Sequence, residues 1–162
     1  MISKSLQDAL NEQINQEMYS SYLYLAMTAH FTNENFPGFA HWMSVQSREE
    51  WGHAMKFYSY IFDRGGSVTL KAIAQPPAKF KSPLDIFKQV YEHELKITKL
   101  ITKFFEQAVK EKDYPAQIML QWFITEQVEE EKNDLEIINL LETIGDSPIS
   151  LMMVDRRLAE RK

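Results

Sequence analysis

Four helical stretches of this chain each carry a metal-type ligand in the middle of an apolar stripe, at matching places in the two halves. Glu17 is followed by Glu50 and His53, and an offset of 77 positions carries these onto Glu94, Gln127 and Glu130. The same offset carries Glu49 onto Glu126. It relates ligand positions far better than the surrounding sequence. Carboxylates and one imidazole repeated this way can close around two metal ions between four packed helices.

Helix punctuation supports that architecture. The first helix is expected from Ser3 or Ser5 to Phe31, with Leu6, Leu10, Tyr24, Met27 and Phe31 at three-and-four spacing and Glu17 among them. Asn33-Glu34-Asn35 breaks it, and Pro37 suits the first turn of a second helix. That helix carries Phe39, Met43, Gln46, Glu50, His53, Phe57 and Ile61 on one face and stops at Gly65-Gly66. Ser82-Pro83 opens a third, striped by Phe87, Val90, Glu94, Ile97, Ile101, Phe104 and Ala108. Asp113-Tyr114-Pro115 opens a fourth, striped by Leu120, Phe123, Gln127, Glu130, Ile137 and Leu141 and ended by Gly145. After Asp146-Ser147-Pro148 the tail predicts a short fifth helix ending near Glu160.

The two short joints make antiparallel hairpins. Between the second and third helices lie about 17 residues, Gly65 to Lys81, without helical period. At roughly 3.3 Å per residue such a segment can run the length of a bundle. If it crosses over, helices two and three run parallel and every inward polar residue falls at one level. The predicted fold is all-α, an up-down-down-up four-helix bundle with one long crossover and a short C-terminal helix, a single domain over 1–162.

Each acidic residue taken alone has a bland reading as part of a solvated helix face. The step from Glu50 to His53 places carboxylate and imidazole on adjacent turns but recurs by accident on surface helices, and His53 alone reads as a core histidine. Together the positions say more. Glu17, Glu50, Glu94 and Glu130 all lie in apolar stripes, and burying such carboxylates uncompensated costs many kcal/mol. Two divalent cations supply the missing charge. Hard oxygen ligands with one imidazole suit iron or manganese better than a closed zinc site. The arrangement expected is Glu17, Glu50 and His53 around one ion, Glu94 and Glu130 at the second, with Glu50 bridging. Gln127, being neutral, orients water, dioxygen or a peroxide.

Composition narrows the class. Hydrophobic residues at 44% with 25% charged residues suit a folded chain. A net charge of −5 with scattered basic residues gives no attraction to nucleic acid or anionic lipid. The absence of cysteine excludes disulfides, thiolate zinc sites and iron–sulfur ligation. No apolar signal core follows Met1 and no stretch has the apolar length of a membrane span. The expected location is the cytoplasm.

The segments N-E-Q-I-N-Q-E-M-Y-S-S-Y-L-Y, R-E-E-W-G-H, Y-E-H-E and Q-W-F-I-T-E-Q-V-E-E-E-K resemble the non-haem bacterial ferritins of the ferritin-like di-iron family. The resemblance covers essentially the whole chain. It implies a ferroxidase centre at Glu17, Glu50, His53, Glu94, Gln127 and Glu130. It also implies an adjoining third iron site from Glu49, Glu126 and Glu129, with Glu130 shared. Tyr24 would be the nearby aromatic that gives an electron during oxygen reduction. Iron (Fe2+ oxidised to Fe3+ by O2 or H2O2) would be stored as mineral inside a homo-oligomeric shell of 24 subunits.

Two departures refine this. The haem-binding bacterioferritins carry methionine after the second-helix ligand and repeat the Glu-x-x-His step in the fourth helix. Trp51 and Gln127-to-Glu130 stand there instead, so no haem is expected. Animal ferritins line a channel with acidic residues early in the fourth helix, where this chain has Gln117 and Leu120.

Alternatives remain from the residues alone. The acidic run Glu126, Glu129, Glu130 and Glu131 also reads as an exposed helix face. Aromatics at helical spacing, such as Tyr24, Trp122 and Trp42, are more often core packing than redox groups. The same bundle serves di-iron oxygenases and peroxidases, or a metal-free interaction module. A mineral needs an enclosed volume, so outer faces must bury against copies of the subunit. Tyr22, Trp42, Tyr58, Phe62 and Phe80 are the expected contacts.

Overall fold

The computed structural model describes residues 1–145 and 147–162, and its helices begin where side chains can satisfy the first free N–H groups. The five helices are α1 (Lys4–Asn33), α2 (Pro37–Asp63), α3 (Pro83–Lys110), α4 (Tyr114–Ile144) and α5 (Pro148–Leu158). Ser3 accepts from the Leu6 N–H, Ser82 from Asp85, Asp113 from Ala116 and Ser147 from Ser150. Of the sequence expected to start the fifth helix, Asp146 lies outside the described residues. Gly65, at φ +69°, takes the left-handed turn that ends α2.

α2 is the exception, because Phe36 before it has no capping side chain. Its cap comes from the other end of the chain. Asp155 of α5 accepts from the Gly38 and Phe39 N–H groups at 2.8 and 3.0 Å. The approach is close enough that a Cβ on Gly38 would stand 1.6 Å from the Asp155 carbonyl oxygen, so only glycine fits.

Helix directions follow from paired residues. Ile2 meets Arg64 and Ser21 meets Ser47, so α1 and α2 are antiparallel. Lys88 meets Glu142 while Gln127 meets Thr98, which makes α3 and α4 antiparallel. Trp42 packs on Phe87, and Arg64 grips Asp113 with both guanidinium nitrogens at 2.8 and 2.9 Å. Both contacts hold only if α2 and α3 are parallel. The crossover therefore runs the length of the bundle, strapped to α1 by amides one helical turn apart. Gln7 accepts from the Ser67 N–H, Asn11 binds Ser67 and Thr69, and Asn15 donates to the Ala72 carbonyl. The chain is an all-α bundle of four long helices with a crossover and a short fifth helix.

The apolar core is divided in two. One cluster contains Leu6, Leu10, Phe57, Ile61, Ile101, Phe104 and Phe123. The other contains Met27, Phe31, Phe39, Met43, Phe87, Val90 and Leu141, with Val154 and Leu158 of α5. Between them every long helix turns polar side chains inward: Gln13, Glu17 and Ser20; Gln46, Glu50 and His53; Glu94; Gln127, Glu130 and Asp134.

Among the expected outer contacts, Tyr22 and Phe62 are about half exposed, at 48% and 51%. Tyr58 and Phe80 are partly buried against the two clusters. Trp42 does not belong with them. It is 4% exposed, packs edge-on to Phe87 at 5.0 Å between centroids and carries the Arg161 guanidinium 4.3 Å from its ring. The tail beyond α5 supplies that cover. Among the described residues no helix is long and apolar enough to cross a membrane.

Candidate metal centre

Glu17 of α1 and Glu50 and His53 of α2 present ligand atoms within 4.8 Å of one another, all three side chains buried. The imidazole Nδ1 of His53 lies 3.5 Å from Glu50 Oε2, as the three-residue spacing on one helix face dictates. Edge contacts with Trp122 and Phe123 orient the ring, with centroids 5.5 and 5.8 Å away. Among the described residues no other trio gathers this closely.

The remaining inward residues are tied to this trio by amides. Gln13 donates to Glu17 Oε1 at 2.7 Å. Gln46 donates to Glu50 Oε1 at 3.1 Å and to Glu130 Oε2 at 2.9 Å, joining α2 to α4. Gln127 donates to Glu94 Oε2 at 3.1 Å, and Tyr24 donates its phenolic proton to Glu94 Oε1. Glu94 and Glu130 thus face the same layer without completing a second trio at the 4.8 Å spacing.

The electrostatics are those of an acidic interior without enough positive charge. Burial, then the charge of Glu50, raises the Glu17 and Glu94 carboxyls well above the usual range. The same two causes bring Glu130 to about 7. Burial also pushes Glu50 upward, but His53, Glu17 and Gln46 outweigh it and hold Glu50 below its ordinary value. Burial pulls His53 down, and Glu50, Glu126 and Glu130 overcome that to raise it. Burial and the charge of Glu94 lift the Tyr24 phenol well above its ordinary value. The centre therefore holds protons that a cation would displace.

The donor chemistry fits a hard divalent cation. Glu17 Oε2, Gln13 Oε1, Gln46 Oε1 and both Asp134 oxygens are buried without a hydrogen-bond partner among the described residues. Such atoms cost free energy unless something positive faces them.

The neighbouring acidic residues are spread out. Glu126 Oε1 lies 3.8 Å from His53 Nε2, on the outer side of the ring. Glu49, half-buried, is bonded by Arg161, and Glu129 is exposed. Burial raises Glu49, and Arg161 opposes it.

Sequence reasoning missed Asp134 and Arg161. Asp134 continues the Glu130 stripe by one turn, a spacing already visible in the sequence. Arg161 reaches Glu49 across 112 positions, which no local pattern reports.

Residues 7–144 match the ferritin-like domain family. A bacterial non-heme ferritin of Bacteroides fragilis (strain 638R) is 44% identical over 161 residues, spanning 99% of this chain and 100% of the relative. One from Staphylococcus aureus (strain USA300) is 38% identical, spanning 99% and 97%. An open pore ferritin from the hyperthermophilic archaeon Archaeoglobus fulgidus superposes with a TM-score of 0.98 at 44% identity, covering 100% of this chain and 99% of that one. The acidic layer between two apolar clusters thus sits in a backbone shared along its whole length with that archaeal ferritin, and the chain belongs to the ferritin family.

Proposed function

We propose that this chain stores iron and oxidises it on entry. The observation that carries this reading is the buried trio Glu17, Glu50 and His53, with orphaned oxygens around it, in a chain of the ferritin family. Fe2+ is the substrate. Glu17, Glu50 and His53 bind one ion, Glu94 and Glu130 a second, and Glu50 bridges them. Gln127 and Tyr24, both bonded to Glu94, orient the oxidant's side of the centre. Two ions surrender one electron each; O2 with two protons becomes H2O2, or H2O2 with two protons becomes two waters. Anionic ligands favour Fe3+ over Fe2+, which drives the oxidation. Glu49, Glu126 and Glu129 would serve a third ion beside the centre, and Tyr24 would give an electron during oxygen reduction.

Storage requires an enclosure, so this reading includes a closed homo-oligomeric shell, with 24 copies as the family expectation. Exposed Tyr22 and Phe62 are suited to its subunit contacts. The acidic balance and lack of cysteine are compatible with the cytoplasm.

Aerobic addition of Fe2+ followed by stopped-flow absorbance tests the centre. Glu50→Ala and His53→Ala should slow the rapid phase by at least about tenfold; unchanged rates in both variants overturn the assignment. Light scattering tests the shell. A monomer or dimer at all concentrations that still oxidises iron would make this an enzyme without a store.

A further inference from the structure

The polar layer contains one carboxylate that the proposed centre does not use. Asp134 is 0% exposed, and neither of its oxygens has a partner among the described residues. It lies one turn beyond Glu130 on the inward face of α4. Its charge is felt by Tyr24 and Glu94, and it in turn feels the charges of Glu130 and, opposing it, of Arg161, so it belongs to the acidic layer.

A second orphan borders the same place. Gln46, 1% exposed, spends its amide hydrogens on Glu50 and Glu130, which fixes the orientation of the carboxamide. Its oxygen is left buried and unpartnered. Because α2 and α4 run antiparallel with Gln46 bonded to Glu130, the next turn of α4 brings Asp134 toward the Gln46–Met43 turn of α2. Both Asp134 oxygens and the Gln46 oxygen are thus buried acceptors without a donor among the described residues, on facing turns of α4 and α2 beside Glu130. Water-filled surface acids have no such deficit; a buried set of this kind does.

We propose that Asp134, Glu130 and the Gln46 carboxamide oxygen form an additional position for a hard divalent cation on the inner flank of the di-metal centre. Its ligands are all oxygen, which selects Fe2+, Mn2+ or Mg2+ over soft ions. During iron uptake it holds Fe2+ beside Glu130, and during idle periods it holds a redox-inert ion that offsets the acidic interior. The position builds on the proposed centre through Glu130 but does not require oxidation chemistry.

Crystals of the assembled protein soaked anaerobically in Mn2+ at about pH 9, where Asp134 is ionised, give the test through anomalous scattering. The expected result in the wild type is a peak within coordination distance of Asp134 and Glu130, besides those at Glu17, Glu50 and His53. Asp134→Asn should lose the first peak and keep the others, and Mn2+ titration should count one fewer ion per subunit. Filled centre positions with nothing at Asp134 would mean the carboxyl carries only a proton, and the proposal fails. A peak that survives Asp134→Asn unchanged also overturns it. Empty positions at Glu17, Glu50 and His53, by contrast, would overturn the di-metal reading, and an occupied Asp134 beside them would leave this site standing.

Discussion

Arg161 lays its guanidinium 2.5 Å from the carboxylate of Glu49, so a cation belonging to the protein already sits against one of the three acids proposed for a third iron. An incoming ion has to displace it. The pair is only partly buried, and such pairs contribute about 1 kcal/mol or less. Arg161→Ala should therefore strengthen ion binding at Glu49 and Glu126 up to about fivefold, while loosening the tail from Trp42. Titration with Zn2+ in a background of filled centre sites measures it. Equal affinity in the two proteins would show that Arg161 and the ion do not compete.

The metal-free protein should lose stability as pH rises. Glu130 and Asp134 are raised in the folded state to about 7 and about 8, both by burial first. Unfolded, they ionise near pH 4. Below that value both states are protonated and there is no penalty. Above it the unfolded chain has released protons that the folded chain retains, so stability falls by about 1.4 kcal/mol per pH unit for each group. The loss from each stops once pH passes its folded value. Asp134→Asn removes one such slope, so the variant should gain on the wild type steadily between about pH 4 and pH 8. Guanidinium unfolding of the metal-free proteins across that range is the measurement; parallel curves would contradict it.

Asp155→Ala should destabilise the bundle through α2 rather than α5. Among the described residues its carboxylate is the only side chain capping the Gly38 and Phe39 N–H groups, and removing such a cap costs about 1–2 kcal/mol. Gly38→Ala should cost more, because its Cβ meets backbone that can yield only if α5 moves away. Denaturation midpoints order the two variants. A neutral Gly38→Ala would mean that α5 docks less closely than the structure shows.

Much of this architecture was legible because helix stripes are local. Phe39, Met43, Glu50, Phe57 and Ile61 follow the helical period and all are buried, and Ser82-Pro83 and Asp113-Tyr114-Pro115 each start a helix. What escaped depends on contacts between distant segments. The α2 stripe could not reveal that α5 and its tail cover the flank bearing Trp42, so that residue read as an outer contact. Asp155 as a cap and Arg161 as a clamp lie in a tail whose docking site no periodicity encodes. Asp134 differs, since its stripe position was visible beside Glu130; without the packed neighbours it was indistinguishable from the acids around it.

Gln46 offers the sharpest separation between holding ions and positioning the groups that hold them. It ligates neither of the two proposed centre ions, yet its carboxamide fixes one oxygen of Glu50 and one of Glu130 across the α2–α4 gap. Gln46→Leu keeps the volume near constant and removes both bonds. The ligands all remain, but Glu50 and Glu130 regain rotamers that must be frozen again when metal binds. Loss of such orienting bonds typically lowers metal affinity about 10–100-fold. Anaerobic Fe2+ titration should show that fall with the number of centre ions unchanged, whereas Glu50→Ala should lower the number itself. Gln46→Glu is the control: it restores an oxygen but not the donor, and adds a buried charge beside two others. Its affinity should fall below wild type because neither donor bond, to Glu50 or to Glu130, is restored, and a wild-type value in either Gln46 variant would show that the bridge orients nothing.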